Sequence, residues 1–298
     1  MKTSRQFAII GPTASGKTSL ALQLAERQRG VILSLDSLAL YRRIDIASAK
    51  PTQIERGMVP HFGIDLIEPD QPFDVTRFIE SYREAEAFAH QHHRPLVIVG
   101  GSGFYLKILL EGISPLPPVS EQTHHQVSAE LLDLKKAYRH LSEIDPHFVR
   151  SIDSSDRYRI EKGLTIYYAT QGAPSHWFAT HPPVPFIEEA LPIYEIVVER
   201  TDLRDRISLR TDQMLNRGLI DEVCSLERRY TRYPNAMKSI GIKEVLAYLD
   251  GDYTYGQMRE KIITNTARLA KRQVTFNKSQ FEDTRQGSLQ ELEKMLLS

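Results

Sequence analysis

Gly11-Pro12-Thr13-Ala14-Ser15-Gly16-Lys17-Thr18 decides how this chain is read. The apolar run Phe7-Ala8-Ile9-Ile10 precedes it, and Ser19-Leu20-Ala21-Leu22-Gln23-Leu24-Ala25-Glu26 follows with helical character. Strand, G-x-x-x-x-G-K-T loop and helix, in that order, are the context in which a P-loop holds phosphate. The glycines let backbone N–H groups curl round phosphate oxygens. The helix N-terminus adds a partial positive charge. Lys17 neutralises the outer phosphate, and the Thr18 hydroxyl reaches a metal or an oxygen. A di- or triphosphate ligand is expected.

Working outward, Val31-Ile32-Leu33-Ser34-Leu35 is a second apolar run, ending at Asp36-Ser37. A third, Leu96-Val97-Ile98-Val99, ends at Gly100-Gly101-Ser102-Gly103 and follows a helical pattern over about 75–90. Short apolar runs alternating with helices predict an α/β fold with a parallel sheet flanked by helices. Ligands of such sheets sit off the carboxyl ends of the strands, where the P-loop, Asp36 and the Gly100–Gly103 turn all fall.

Composition changes after Glu111. Ser114-Pro115-Leu116-Pro117-Pro118 reads as a break. Residues 121–170 are helical and polar, and 172–192 hold five of the sixteen prolines. Ile193-Tyr194-Glu195-Ile196-Val197-Val198 reads as a strand returning to the sheet. The expected organisation is a P-loop core over 1–112 and 192–298, with a small helical insertion domain over 113–191. Helices are expected near 203–217, 219–230, 240–249 and 255–278.

The 298 residues carry 38 Lys+Arg against 38 Asp+Glu, so no global charge announces a nucleic acid. Between Arg200 and Arg285, however, 17 Lys/Arg face 12 Asp/Glu. A single cysteine, Cys224, excludes an internal disulfide and fits a reducing compartment. Met1-Lys2-Thr3-Ser4-Arg5 leads straight into the first strand without a signal peptide, and no apolar stretch approaches the ~20 residues of a membrane helix. The expectation is a cytoplasmic, membrane-free monomer.

A P-loop alone names no reaction. Hydrolysing NTPases of this type hold magnesium with an Asp after a second apolar strand, and here Leu96–Val99 runs into Gly-Gly. Asp36 reads equally as a general base toward an acceptor and as a cap on nearby backbone amides. Arg206 and Arg210, spaced i, i+4, suit a diphosphate clamp or, with Asp202, Asp205 and Asp212, a solvated face. Arg268, Lys271, Arg272 and Lys278, with Phe276, suit RNA phosphates and base stacking or an ordinary exposed face. His92-His93 and His124-His125 have no metal-ligand partners at suitable spacing. Trp177 reads as a packing anchor.

Gly11–Thr18, Asp36-Ser37-Leu38-Ala39-Leu40-Tyr41, Asp45-Ile46-Ala47-Ser48-Ala49-Lys50-Pro51, His61 with Ile64-Asp65, Gly100-Gly101-Ser102-Gly103-Phe104-Tyr105 and Ala270-Lys271-Arg272-Gln273 occur in an order and spacing that resemble the tRNA dimethylallyltransferases. Arg206-Ile207, Arg210, Met214-Leu215 and Gly218-Leu219-Ile220-Asp221-Glu222-Val223 continue the resemblance, which runs over about 7–280. It implies that the P-loop holds the diphosphate of dimethylallyl diphosphate. The implied acceptor is N6 of the adenine immediately 3′ of the anticodon, flipped out of its stack. Asp36 is implied as base, with Lys17, Thr18, Arg210 and Mg²⁺ (through Thr18) meeting the charge of the leaving group.

The same resemblance assigns contacts to the tRNA anticodon stem-loop. They are Asp36, Ser37, Leu38, Ala39 and Ser102 near the target base. Tyr158, Arg159 and Lys162 form one strip, Lys238 and Lys243 a second, and Lys271, Arg272 and Lys278 a third. His124 stands where the family tends to have Arg, Ala267 where Arg is common, Ile242 for a usual Tyr, Phe276 for a usual Trp and Ser102 for Thr. Three other readings use the same residues: a small-molecule P-loop kinase, a prenyltransferase acting on free adenine nucleotides, and a nucleotide-dependent RNA-binding module without catalysis. A kinase lid would be rich in phosphate-clamping arginines, whereas the insertion offers Arg139, Arg150, Arg157 and Arg159.

Overall fold

The computed structural model describes residues 5–297. Residues 1–4, with the expectation about a leader that rests on them, lie outside that range. Two compact units emerge: one from residues up to Lys107 together with those from Glu189 onward, the other Ile108–Glu188.

The first unit begins with β1 (Gln6–Ile10), α1 (Lys17–Gln28), β2 (Val31–Ser34), α2 (Gln53–Met58), β3 (His61–Phe62), α3 (Val75–Gln91) and β4 (Leu96–Gly100). The helix α4 (Gly103–Glu111) then leads into the second unit, α5 (Glu121–Glu130), α6 (Leu134–Ile144), α7 (Pro146–Val149), α8 (Arg157–Thr170) and α9 (Pro174–Thr180). The chain returns through β5 (Ile193–Ile196), α10 (Arg200–Asn216), α11 (Leu219–Tyr230), a 3-10 turn (Asn235–Lys238), α12 (Ile242–Leu249), α13 (Tyr255–Gln280), β6 (Thr284–Gly287) and α14 (Leu289–Leu297).

The strands form one parallel sheet in the order β3-β2-β4-β1-β5-β6. Ile9 pairs with Val99 and Leu33 with Ile98. With β4 between β1 and β2, the loops leaving all three strands are neighbours on one rim. Both faces of the central strands are covered, which is why those runs are apolar throughout rather than alternating. On one face Phe7, Ile9, Val97 and Val99 pack with Leu20 and Leu24 of α1 and Leu292 of α14. Helix α3 packs against β2, β3 and β4.

Beyond the sheet, α11, α12 and α13 enclose a second core containing Leu219, Val223, Val245 and Met258. Helix α13 starts at a capping box, Thr254 with Gln257, a reciprocal pairing that satisfies two otherwise orphaned N–H groups. In the second unit four helix starts carry side-chain caps. Ser120, Asp133, Asp145 and Asp156 accept backbone N–H bonds at α5, α6, α7 and α8. Those helices bury Val127, Leu141, Ile160 and Leu164 together. Trp177 of α9 donates its Nε1–H to Pro115 O at 2.8 Å and stacks on His181.

Candidate active site

The P-loop wraps the end of β1. Gly16 has φ 94°, a left-handed conformation that side chains rarely adopt. Leu289 Cδ2 lies 2.6 Å from where its Cβ would stand. Lys17 opens α1 and is buried, its Nζ donating to Pro12 O at 2.9 Å. Burial and then the neighbouring Arg210 pull its pKa down to about 8, against an opposing pull from Asp36. Among the described residues this ammonium forms no ion pair, and a phosphate would supply one. Thr18 is exposed on the same cavity.

That cavity, about 320 Å³, is lined by Thr13, Lys17, Asp36, Gly101, Arg210 and Gln273 among others. Arg210 reaches it from α10, its Nη1 donating to Thr13 Oγ1 at 3.3 Å, while Arg206 reaches Ser15 O at 3.4 Å. Burial lowers the Arg210 pKa and Asp36 raises it, yet a guanidinium stays charged. Asp36 Oδ1 accepts from the backbone N–H of Leu38 at 2.8 Å and of Ala39 at 3.3 Å. Its other oxygen has no hydrogen bond among the described residues. Both sequence readings of Asp36 therefore coexist geometrically: one oxygen shapes the turn, the other is available toward the cavity.

Several participants carried no role in the sequence reading. Gln273 of α13 accepts from the Thr13 N–H at 2.9 Å, and its Nε2 would lie 2.4 Å from a Cβ at Gly101. Only glycine at 101 admits that side chain, which ties the P-loop to the β4 turn. Lys50 is buried and donates to Tyr41 O at 2.6 Å, Asp65 Oδ1 at 2.7 Å and Asp45 Oδ1 at 3.0 Å. Burial pushes the Asp65 carboxyl up, but Lys50 and Arg56 outweigh it and hold it below its usual range. Glu222 of α11 accepts from the N–H groups of Asp45, Ile46 and Ala47 at 2.7–2.9 Å. Together these pin the 45–51 segment, which contributes Ala47, Ser48 and Lys50 to the cavity wall. His61 lines it too, with Nδ1 bonded to Val59 O at 2.7 Å.

Ser37, Leu38, Ala39 and Ser102 also border the cavity. Lys238, Lys243, Lys271, Arg272 and Lys278 are exposed on the same unit and do not line it. Phe276 lies over Gly103 and against Phe281, so it packs rather than standing free. In the second unit His124 is exposed on α5, Arg159 pairs with its cap Asp156 at 2.8 Å, and Lys162 Nζ sits 5.5 Å from the Tyr158 ring centre.

An anion cradle, two cations and a carboxylate thus surround one cavity at a P-loop, and the strand-end Asp of a hydrolysing NTPase is replaced by Gly100-Gly101. This arrangement suits a group-transferring α/β enzyme. A family model described as IPP transferase matches residues 39–280, and one described as isopentenyl transferase matches 4–58. A Sulfurovum sp. protein named tRNA dimethylallyltransferase is 55% identical, over 98% of this chain and 97% of its own. The crystal structure of the full-length tRNA isopentenylpyrophosphate transferase from Bacillus halodurans superposes with a TM-score of 0.69 at 30% identity, covering 98% of this chain and 94% of that one. A eukaryotic dimethylallyltransferase acting on tRNA gives 0.80 at 25% identity, covering 92% and 70%. The chain belongs to the IPP transferase family, whose members are prenyl-transferring enzymes.

Proposed function

We propose that this enzyme moves the dimethylallyl group of dimethylallyl diphosphate onto N6 of the adenine immediately 3′ of the anticodon in tRNA. The observation that carries this reading is the free oxygen of Asp36 on the cavity that Lys17 and Arg210 also line. A base and an anion cradle on one cavity suit a reaction that takes a proton from an acceptor and releases an anion. The target base enters flipped out, since N6 inside a stack is out of reach. The nitrogen forms a bond to C1 of the allyl group, the C1–O bond breaks, and the N6 proton passes to Asp36. Lys17, Arg210 and the P-loop amides meet the charge that develops on diphosphate.

Magnesium fits the donor set. Thr18 offers a hydroxyl at the P-loop, and the described residues hold no cluster of three acidic, His or Cys groups. At a P-loop the Ser/Thr hydroxyl is the protein's ligand to magnesium, beside substrate phosphate oxygens and water. Thr18 would hold the ion, which when bound neutralises part of the diphosphate charge.

The acceptor assignment is tested with anticodon stem-loops that differ only at the target position. Adenine there is expected to accept the labelled group and guanine to accept none. Equal labelling of both would overturn N6 as the nucleophile.

Lys17 sets an alkaline limit. Its pKa of about 8 in the free enzyme means that protonated Lys17 is lost as pH rises through that value. kcat/KM for dimethylallyl diphosphate is expected to fall above pH ~8 with unit slope, because that ratio reports the free enzyme. kcat should fall at higher pH, since bound diphosphate favours the charged amine. Identical limits in both profiles would contradict the role.

Lys271 is exposed on α13, and in this reading it meets an RNA phosphate. Lys271→Ala is expected to weaken tRNA binding and to lower the log–log salt slope by about 0.7–0.9, one phosphate's share. An unchanged slope would remove Lys271 from the interface.

A further inference from the structure

Away from the active site, a groove of about 550 Å³ runs between α10 and α13. Its floor is apolar: Leu203 and Ile207 from α10, Ile263, Ala267, Ala270 and Val274 from α13. Its rim is Arg200, Arg204, Arg268 and Lys271, and no acidic side chain lines it. Among the described residues none of these four cations forms an ion pair. Arg268 makes one long bond to Asn265 Oδ1 at 3.4 Å. In a chain whose acids and bases balance overall, four uncompensated cations around an apolar floor mark a surface built for an anion with a flat apolar part.

We propose that this groove takes an unpaired nucleotide of the RNA acceptor, its base on the apolar floor and its phosphates on the rim. The inference rests on RNA being the acceptor. Two observations favour an RNA strand over a small anion. The cations continue along α13 beyond the groove, Lys271 to Lys278, so the stripe from Arg268 spans about 15 Å at helical rise and suits successive phosphates. The floor is a platform for a base face, and single-stranded RNA is recognised by bases splayed onto such platforms between phosphate contacts.

The test uses a synthetic unmodified anticodon stem-loop, with its affinity measured over a range of salt for two variants. Arg204→Ala/Arg268→Ala removes exposed charge. Ala267→Leu fills the floor and keeps the charge. The arginine variant is expected to bind about tenfold more weakly, with the salt slope reduced by about 1.4 for two single-strand phosphates. Ala267→Leu is expected to bind at least about fivefold more weakly, the low end for a base withdrawn from its platform, with the slope intact. Affinity for dimethylallyl diphosphate should be unchanged in both. Wild-type RNA affinity in both variants would overturn the groove while leaving the acceptor reading standing. Loss confined to the arginine variant would overturn base insertion. Failure of the wild-type protein to bind the stem-loop would overturn the acceptor reading and the groove with it.

Discussion

Asp36→Asn is expected to lower the rate of prenyl transfer by about 10²–10⁴-fold, the usual contribution of a positioned general base. RNA affinity should change by less than about twofold. The substitution is chosen from the geometry. Oδ1 of Asp36 holds the turn through the N–H groups of Leu38 and Ala39, and an asparagine oxygen accepts the same bonds. What Asn lacks is a basic oxygen toward the cavity. Asp36→Ala removes both functions, so it should also disturb Leu38 and Ala39, which border the cavity, and weaken RNA binding. Single-turnover transfer measured beside RNA binding separates the two roles. A near-normal rate in Asp36→Asn would reduce Asp36 to a turn-former.

Arg210→Ala is expected to lower kcat and kcat/KM for dimethylallyl diphosphate together by about 10²–10³-fold, as when an interaction made chiefly in the transition state is removed. Arg210 bridges α10 to the P-loop through Thr13 and shares the cavity with Lys17. The same substitution has a second signature. Arg210 helps to pull the Lys17 pKa down, so its removal should move the alkaline limit of kcat/KM upward from about 8. A rate loss without that displacement would mean that Arg210 acts on the ligand alone. A rise in KM with kcat preserved would mean that it binds ground and transition states equally and is not a catalytic group.

The rim of the site is legible in sequence because each part is local. The P-loop, Asp36 and Gly100-Gly101 follow short apolar runs, and glycine at such places announces a loop that backbone or ligand approaches. Arg210 is harder. Its i, i+4 relation to Arg206 is what any solvated helix shows, and only the packing of α10 against α13 and the P-loop turns it inward. Gln273 and Glu222 are illegible for a different reason. Their partners lie 260 and about 175 residues away, and neither glutamine nor glutamate on a helix signals a buried bond. Lys50 belongs to a recognisable motif, but its pairing with Asp65 needs the return of β3 beside β2. Two strands that escaped notice share one trait, the lack of an alternating apolar pattern. Strand β3 has two residues, and β6, Thr-Arg-Gln-Gly, is a polar edge strand.

The central claim is that one cavity joins a diphosphate cradle to a base for an RNA amine. The most direct measurement incubates the protein with labelled dimethylallyl diphosphate, magnesium and unmodified tRNA, with AMP and ATP present as rival acceptors, and maps the label. The account predicts label on the tRNA, on N6 of the adenine beside the anticodon, with none on the free nucleotides. Label on AMP or ATP alone, or ATP consumption with no prenyl transfer, would contradict it.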